Sequence, residues 1–232
     1  MKLIEGKFIQ ESKNRFLCIV AIDGISTECY IPSSCHLSNF IALEGRKVLL
    51  KENQNPESRT RFAVWAVRYR NSYIILNTSS ANEIVYQSIK GRRFSFLGKR
   101  KRILKEHTES NYKCDIFVPE TKTILEIKSI ISIEEEAIFP TVYSERSLKQ
   151  LQQIKSFLNN DYQVYYCFVA LNPYVKKLKF AKDTDFYRDF SECCKYGMNV
   201  LGYRLSVGKD ITPHISGSLS FINDVFTTQQ TF

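Results

Sequence analysis

Two apolar runs, Asp115 to Val118 and Thr123 to Lys128, flank a short turn that contains Pro119, Glu120 and Thr121. A hairpin centred between Glu120 and Thr121 sets Asp115 opposite Glu126 and Lys113 opposite Lys128. Directly opposed residues share a face of the sheet, with Cβ atoms ~4.5–5.5 Å apart. Alternation along the strand then puts Glu126 and Lys128 on that face and Leu125 and Ile127 on the other. Opposed like charges weaken a strand pair, and a divalent ion between them turns that repulsion into a binding site. Oxygen donors of this kind suit a hard ion, Mg²⁺ or Mn²⁺. Such an ion polarises a phosphoryl oxygen and acidifies a bound water. Lys128 is placed to orient that water or to offset charge growing on the phosphate. The competing reading is a surface hairpin with solvated Glu126 and Lys128, and a one-residue bulge would break the register. Glu145 opens the next helix one turn before Leu148, on the edge of its apolar face, where it could reach the same ion or simply complement the helix dipole.

The elements that hold these residues are legible in outline. The expected strands are Asp115 to Val118 and Thr123 to Ile130. A helix capped by Ser144 runs to about Leu158, with Leu148, Leu151, Ile154, Phe157 and Leu158 on its apolar face. The unbroken apolar run Val164 to Leu171 is of the type buried on both faces. A second helix starts near Asp183 or Thr184 and carries Phe186, Tyr187, Phe190, Cys193 and Tyr196, with Gly197 as its stop. A last strand is Val200 to Val207. An edge strand over Ile215 to Ile222 and a loose Ser/Thr/Gln-rich end follow. Strands alternating with helices indicate a mixed α/β sheet. Upstream, Ser80 and Glu83 have capping-box spacing, and Ala81, Ile84, Val85 and Ser88 repeat with helical period to about Lys90.

Residues 1–78 read differently. Residues in this stretch give short strand signals at Lys7 to Gln10, Arg15 to Ile22, Ser26 to Ile31, Lys47 to Leu50, Arg59 to Tyr69 and Tyr73 to Leu76, with no helical pattern. That pattern predicts a small OB-like β-barrel, with a boundary near residue 78 and a second domain over 79–232. Arg59, Arg61, Trp65 and Tyr69 share one parity, and with Arg68 and Arg70 they make a candidate nucleic-acid surface of cations and rings. The alternative is that the rings are core and the arginines rim. From Ile84 to Lys105 there is no acidic residue, whereas Lys90, Arg92, Arg93, Lys99, Arg100, Lys101, Arg102 and Lys105 crowd this span around Phe94, Phe96 and Leu97. It is a candidate phosphate-contacting segment or a solvated hairpin.

The whole chain supports an anionic partner: 33 Lys+Arg against 24 Asp+Glu give a net charge of +9 over 232 residues. With 44% hydrophobic and 25% charged residues the chain is globular rather than disordered. No apolar run is long enough to span a membrane, and the N-terminus lacks a signal-peptide core, so the expected location is cytoplasmic. The 7 cysteines form no CxxC pair and most sit in apolar runs, so reduced buried thiols are expected rather than zinc. The 3 histidines carry no metal-ligand spacing, and no DNA-reading helix-turn-helix or zinc finger is evident.

Taken together, Asn14-Arg15-Phe16-Leu17, Asn77 to Ile84, Cys114-Asp115-Ile116-Phe117, Leu125 to Ser129, Phe139-Pro140 and Ser144-Glu145-Arg146 resemble the sugar fermentation stimulation protein (SfsA) family over nearly the whole length. The resemblance implies an α/β (mixed) architecture: a small N-terminal OB-like β-barrel followed by a restriction-endonuclease-like mixed α/β sheet domain of the PD-(D/E)xK superfamily. It implies nonspecific binding of DNA, with RNA as an alternative, through mostly backbone contacts. It also implies a metal-dependent nuclease, the alternative being a non-catalytic DNA-binding regulatory protein. Carried over by motif, Asp115, Glu126, the backbone carbonyl of Ile127 and Glu145 would hold Mg²⁺ or Mn²⁺, and Lys128 would be the motif lysine. Departures from the family pattern stand at Tyr112-Lys113-Cys114, Thr141-Val142, Ser147, Lys149-Gln150 and Pro32-Ser33-Ser34-Cys35. They bear on rate and substrate choice more than on fold.

Overall fold

The computed structural model describes residues 3–14, 16–32 and 41–222. Arg15 of the Asn14–Leu17 motif, Ser33 to Cys35 of the altered loop, His36 and the end beyond Ile222 lie outside the described residues.

Six strands make the first unit: β1 (Leu3–Glu11), β2 (Leu17–Ile22), β3 (Ile25–Tyr30), β4 (Lys47–Glu52), β5 (Phe62–Tyr69) and β6 (Ser72–Ile75). They run in the order β3-β2-β1-β4-β5-β6, and a parallel pairing of β3 with β5 closes the sheet into a barrel. Closure needs local bends, which bulges provide. One falls where Leu49 pairs with Ala66 and Leu50 pairs with Val64, leaving Trp65 as the extra residue. The bulge decides two faces at once. Val64 and Val67 stay inside the barrel, whereas Trp65 and Ala66 both turn outward into a core shared with the second unit. Gly6 on β1 is required by a close approach: a Cβ there would stand 2.5 Å from a Val20 methyl.

The second unit begins with α1 (Ser80–Ser88), followed by two short 3-10 turns over Arg92–Leu97 that bury Phe94 and Leu97. The capping box is not formed. The N-cap is Ser79 without a side-chain bond, and Glu83 reaches Lys105 at 2.6 Å instead. Next come β7 (Leu104–Lys105), the hairpin β8 (Thr108–Glu109) and β9 (Tyr112–Lys113), β10 (Ile116–Val118), β11 (Thr123–Ile130) and β12 (Glu136–Phe139). Then follow α2 (Glu145–Leu158), β13 (Gln163–Ala170), β14 (Lys177–Phe180), α3 (Asp185–Lys195), β15 (Asn199–Val207), β16 (Pro213–Ser218) and β17 (Ser220–Ile222). The expected caps are present: Ser144 accepts from the Ser147 amide and Thr184 from the Tyr187 amide. The expected terminal edge strand is two strands, β16 and β17, in different sheets.

The main sheet has the order β16-β15-β13-β11-β10-β7 and is mixed. β11, β13 and β15 are parallel, and β10 and β16 run antiparallel to their neighbours. Both parallel crossovers pass through helices, α2 and α3, on one face, where Leu151, Ile154, Phe186 and Phe190 pack on Tyr166 and Phe168. α1 and the barrel cover the other face, against Leu125, Ile127, Cys167 and Tyr203. β13 is therefore buried on both sides, as its unbroken apolar run requires. The barrel is joined to this sheet by more than a linker. Trp65 and Ile75 belong to its core, the Ile75 amide donates to the Leu171 carbonyl at 2.9 Å, and Tyr174 donates its hydroxyl to the Tyr69 carbonyl at 2.7 Å. Among the described residues no helix is long and apolar enough to cross a membrane. Cys18, Cys29, Cys114, Cys167 and Cys193 are free and buried, and Cys194 is half-buried.

Candidate functional site

The β10–β11 ladder has the expected register: Ile116 pairs with Leu125, Phe117 with Ile124 and Val118 with Thr123. It ends at Ile116, one pair short of Asp115 and Glu126. Where the backbone pairing stops, the Asp115 side chain takes over. Its Oδ2 accepts the Ile127 amide at 2.7 Å and its Oδ1 accepts Asn82 Nδ2 of α1 at 2.7 Å. The N–H and C=O of a strand residue point to the same neighbour, so the Ile127 carbonyl also faces this open edge. Lys113 does not oppose Lys128. It belongs to the β8–β9 hairpin, pairs with Thr108 and gives its ammonium to Glu106.

Glu126 is 2% exposed, and a carboxylate so placed needs donors. The Tyr112 hydroxyl donates to Oε2 at 2.7 Å, and Lys128 Nζ donates to Oε1 at 2.8 Å. Lys128 also donates to Gln150 Oε1 of α2 at 2.7 Å. A buried chain Tyr112–Glu126–Lys128–Gln150 thus links the hairpin, the strand and the helix. Burial, together with the adjacent Glu126 carboxylate, pushes Asp115 up to about 6. The same two causes, burial first, push the Tyr112 hydroxyl well above its usual range, so it stays a donor. The acids open onto a cavity of about 360 Å³ that Lys113, Arg146 and Ser147 also line.

Glu145 is not brought to this cavity. It is exposed and pairs with Lys149 at 2.7 Å. The buried stripe of α2 is Gln150, Leu151, Ile154 and Phe157, and at 100° per residue Glu145 lies about 140° around the helix from Gln150. Leu148, the reference for the expectation, is itself only at the margin of the core. Among the described residues no group of three or more His, Cys, Asp or Glu side chains is gathered within reach of one ion. The donor set here is two carboxylates and one carbonyl. Two mutually repelling buried acids at an open strand edge fit a hard divalent ion whose other ligands are water, and they do not make a closed protein cage.

The basic residues scatter. β5 begins only at Phe62, so Arg59 and Arg61 sit in the preceding loop, paired with Glu28 at 3.3 Å and Glu52 at 2.8 Å. Trp65 is core and not a stacking platform. Arg68 lies over Tyr73, and Arg70 lies over both Tyr69 and Tyr174. Arg100 caps the carbonyls of Ile89, Gly91 and Gly98, Arg102 pairs with Glu120, and Arg93 covers Tyr203. Arg92, Lys99 and Lys101 are exposed and have no carboxylate partner among the described residues. Gly98 packs by Thr121, which places this loop beside the turn before β11, whose first residue Thr123 is ~10 Å along the strand from Glu126.

Sequence reasoning missed Tyr112, Gln150, Asn82 and Arg146. Gln150 carried a signal, a polar residue inside the apolar stripe of α2. Asn82 carried none, since its contact joins residues 33 positions apart.

A family model described as the SfsA N-terminal OB domain matches residues 11–76, and one described as the sugar fermentation stimulation protein RE domain matches residues 79–210. The chain is 25% identical over 217 residues to a sugar fermentation stimulation protein homolog of Clostridium beijerinckii, covering 90% of this chain and 92% of the relative. It is 27% identical over 212 residues to a homolog of Ruminiclostridium cellulolyticum, covering 84% and 87%. Among solved structures, Pyrococcus furiosus SfsA in complex with Ca²⁺ superimposes with a TM-score of 0.80 at 19% identity, covering 95% of this chain and 96% of that one. With both halves matched in order, the chain belongs to the sugar fermentation stimulation protein (SfsA) family.

Proposed function

We propose that this protein binds DNA without sequence specificity, as a regulatory DNA-binding protein on a nuclease-like fold. One observation carries the reading. A net charge of +9 is displayed in part by cations with no carboxylate partner among the described residues, Arg68, Arg70, Arg92, Lys99, Lys101 and Arg146. Phosphate backbones neutralise such groups and release counterions, which gives steeply salt-dependent binding. Among the described residues the unpartnered cations sit on strand ends, short turns, loops and the first turn of α2 rather than along one helix face, which suits contacts to the backbone. Arg59, Arg61, Arg100 and Arg102 contribute less, because each is already engaged by a carboxylate or a carbonyl.

The second reading is a metal-dependent nuclease, and the convergence of Asp115, Glu126 and Lys128 favours it. Asp115, Glu126 and the Ile127 carbonyl would hold Mg²⁺ or Mn²⁺, and the ion would supply an activated water and a polarised phosphoryl oxygen. The Pyrococcus relative binds Ca²⁺, which shares the same preference for oxygen donors. Glu145 would join only through an altered rotamer or a bridging water. Lys128, held between Glu126 and Gln150, would face the phosphate. A gel shift run beside a cleavage assay in Mg²⁺ or Mn²⁺ separates the two readings. Salt-sensitive binding that survives Asp115→Ala, without cleavage, is the expected result. Cleavage lost in both Asp115→Ala and Lys128→Ala would establish the nuclease.

A further inference from the structure

We propose that the cavity between the barrel and α1 is a nucleoside pocket that receives the unphosphorylated terminal unit of a strand lying across Asp115 and Glu126. The inference rests on the nucleic-acid reading above and specifies the form of the ligand. The cavity measures about 670 Å³ and shares Asp115 and Glu106 with the acid-pair cavity, so the two adjoin at these residues. Its volume is in the range of small-molecule sites, which combine apolar walls with a few polar groups. Leu3 of the barrel and Ile211 of the facing turn, both half-buried, supply apolar surface for a base, and Trp65 and Ile84 also line the cavity although each is buried in the core. Asn77 Nδ2 as donor and Gln87 Oε1 as acceptor serve its edge or the sugar, since Asn77 Oδ1 accepts from Ser79 and Gln87 Nε2 donates to Glu83.

Charge decides why a terminal unit and not a continuing strand. Glu83, Glu106, Asp115 and Asp210 line this cavity against only Lys51 and Lys105, and Lys105 is held by Glu83. The N-terminus of α1 does not reverse this field. Its Ser80, Ala81 and Glu83 amides donate to the carbonyls of Asn77, Thr78 and Ser79. On the other side of the acid pair, the cavity along α2 is lined by Lys113, Arg146 and Lys149 against Glu145 alone; Lys113 is held by Glu106 and Lys149 by Glu145, which leaves Arg146 without a carboxylate partner among the described residues. Phosphates are therefore favoured on the α2 side and repelled on the barrel side, where a neutral nucleoside still fits.

The protein carries its own probe, because Trp65 is the 1 tryptophan of the chain and lines the cavity. The full-length protein in Ca²⁺ is titrated with a short hydroxyl-ended single-stranded oligonucleotide and with its covalently circular form, each checked afterwards for integrity. The linear strand is expected to change Trp65 emission and to bind about tenfold tighter than the circle. A phosphate on the engaged end, tested at the 3′ and 5′ ends separately, is expected to remove that advantage. Gln87→Phe, which fills the pocket from the exposed side of α1, is expected to abolish both the preference and the emission change while leaving affinity for the circle intact. Equal affinity for line and circle with no response from Trp65 would overturn the pocket alone. Absence of binding by either form would overturn the nucleic-acid reading along with it.

Discussion

The two ends of β11 carry charge in opposite ways. Further along it Glu126 is buried and Lys128 half-buried, with Glu126 matched by Tyr112 and Lys128, and Lys128 also by Gln150. At its start the loop 98–102 stands in solvent, with Arg102 on Glu120 and Lys99 and Lys101 unpaired among the described residues. Buried charge is fixed in position and costly to disturb, whereas exposed charge is mobile, screened and easily replaced. The acid end is therefore built for a defined geometry, and the basic end for contacts that tolerate any sequence. Both lie along one strand, yet substitutions at them should differ in kind as well as in size.

The largest contrast is expected at Lys128. Lys128→Ala leaves Glu126 buried without its counter-ion and should cost about 3–5 kcal/mol in chemical denaturation. Lys128→Ala combined with Glu126→Gln should recover much of that loss, and failure to recover would show that the pair is not the source. Tyr112→Phe removes one donor to the same carboxylate and should cost about 1.5–3 kcal/mol. An unchanged denaturation midpoint would remove Tyr112 from the chain of bonds.

Asp115 should reveal itself through pH. Its acidity is held at about 6 in the folded protein against an ordinary 3.8, so the folded state grips the proton more tightly. Between those two values the folded form binds more protons than the unfolded one, and stability falls as pH rises. In the metal-free protein that loss should total ~1–3 kcal/mol and be complete above about pH 6. Asp115→Asn should flatten the slope in urea titrations from about pH 4 to about pH 7. A wild type whose stability rises with pH across that window would contradict the account of the acid pair. The smallest effect belongs to the basic end. Lys99→Ala with Lys101→Ala should leave the unfolding midpoint unchanged and lower the slope of log affinity against log salt by about 0.9 for each phosphate no longer neutralised.

The sequence was most informative where pattern maps directly onto backbone. Alternation and turn chemistry specify the β10–β11 register and hence Asp115 beside Glu126, and the cap residues Ser144 and Thr184 locate both crossover helices. What escaped was set by tertiary context. Trp65 follows strand parity in the sequence, but a bulge in β5 turns it into the shared core. Glu145 points inward if judged by its distance to Leu148, but the buried stripe runs through Gln150. The arginines of the 92–102 segment look uniform in sequence, although several are engaged by carbonyls, rings and Glu120, which only the folded chain brings near. Asn82 on Asp115 is the extreme case, since no local pattern links α1 to the end of a hairpin.

The most direct test of the central claim is the salt dependence of duplex and single-stranded DNA affinity, measured for wild type and Asp115→Ala side by side. The account predicts a steep negative slope, little dependence on sequence and no loss of affinity in Asp115→Ala. Affinity that is absent at low salt, or that is flat with salt and vanishes with Asp115, would contradict it.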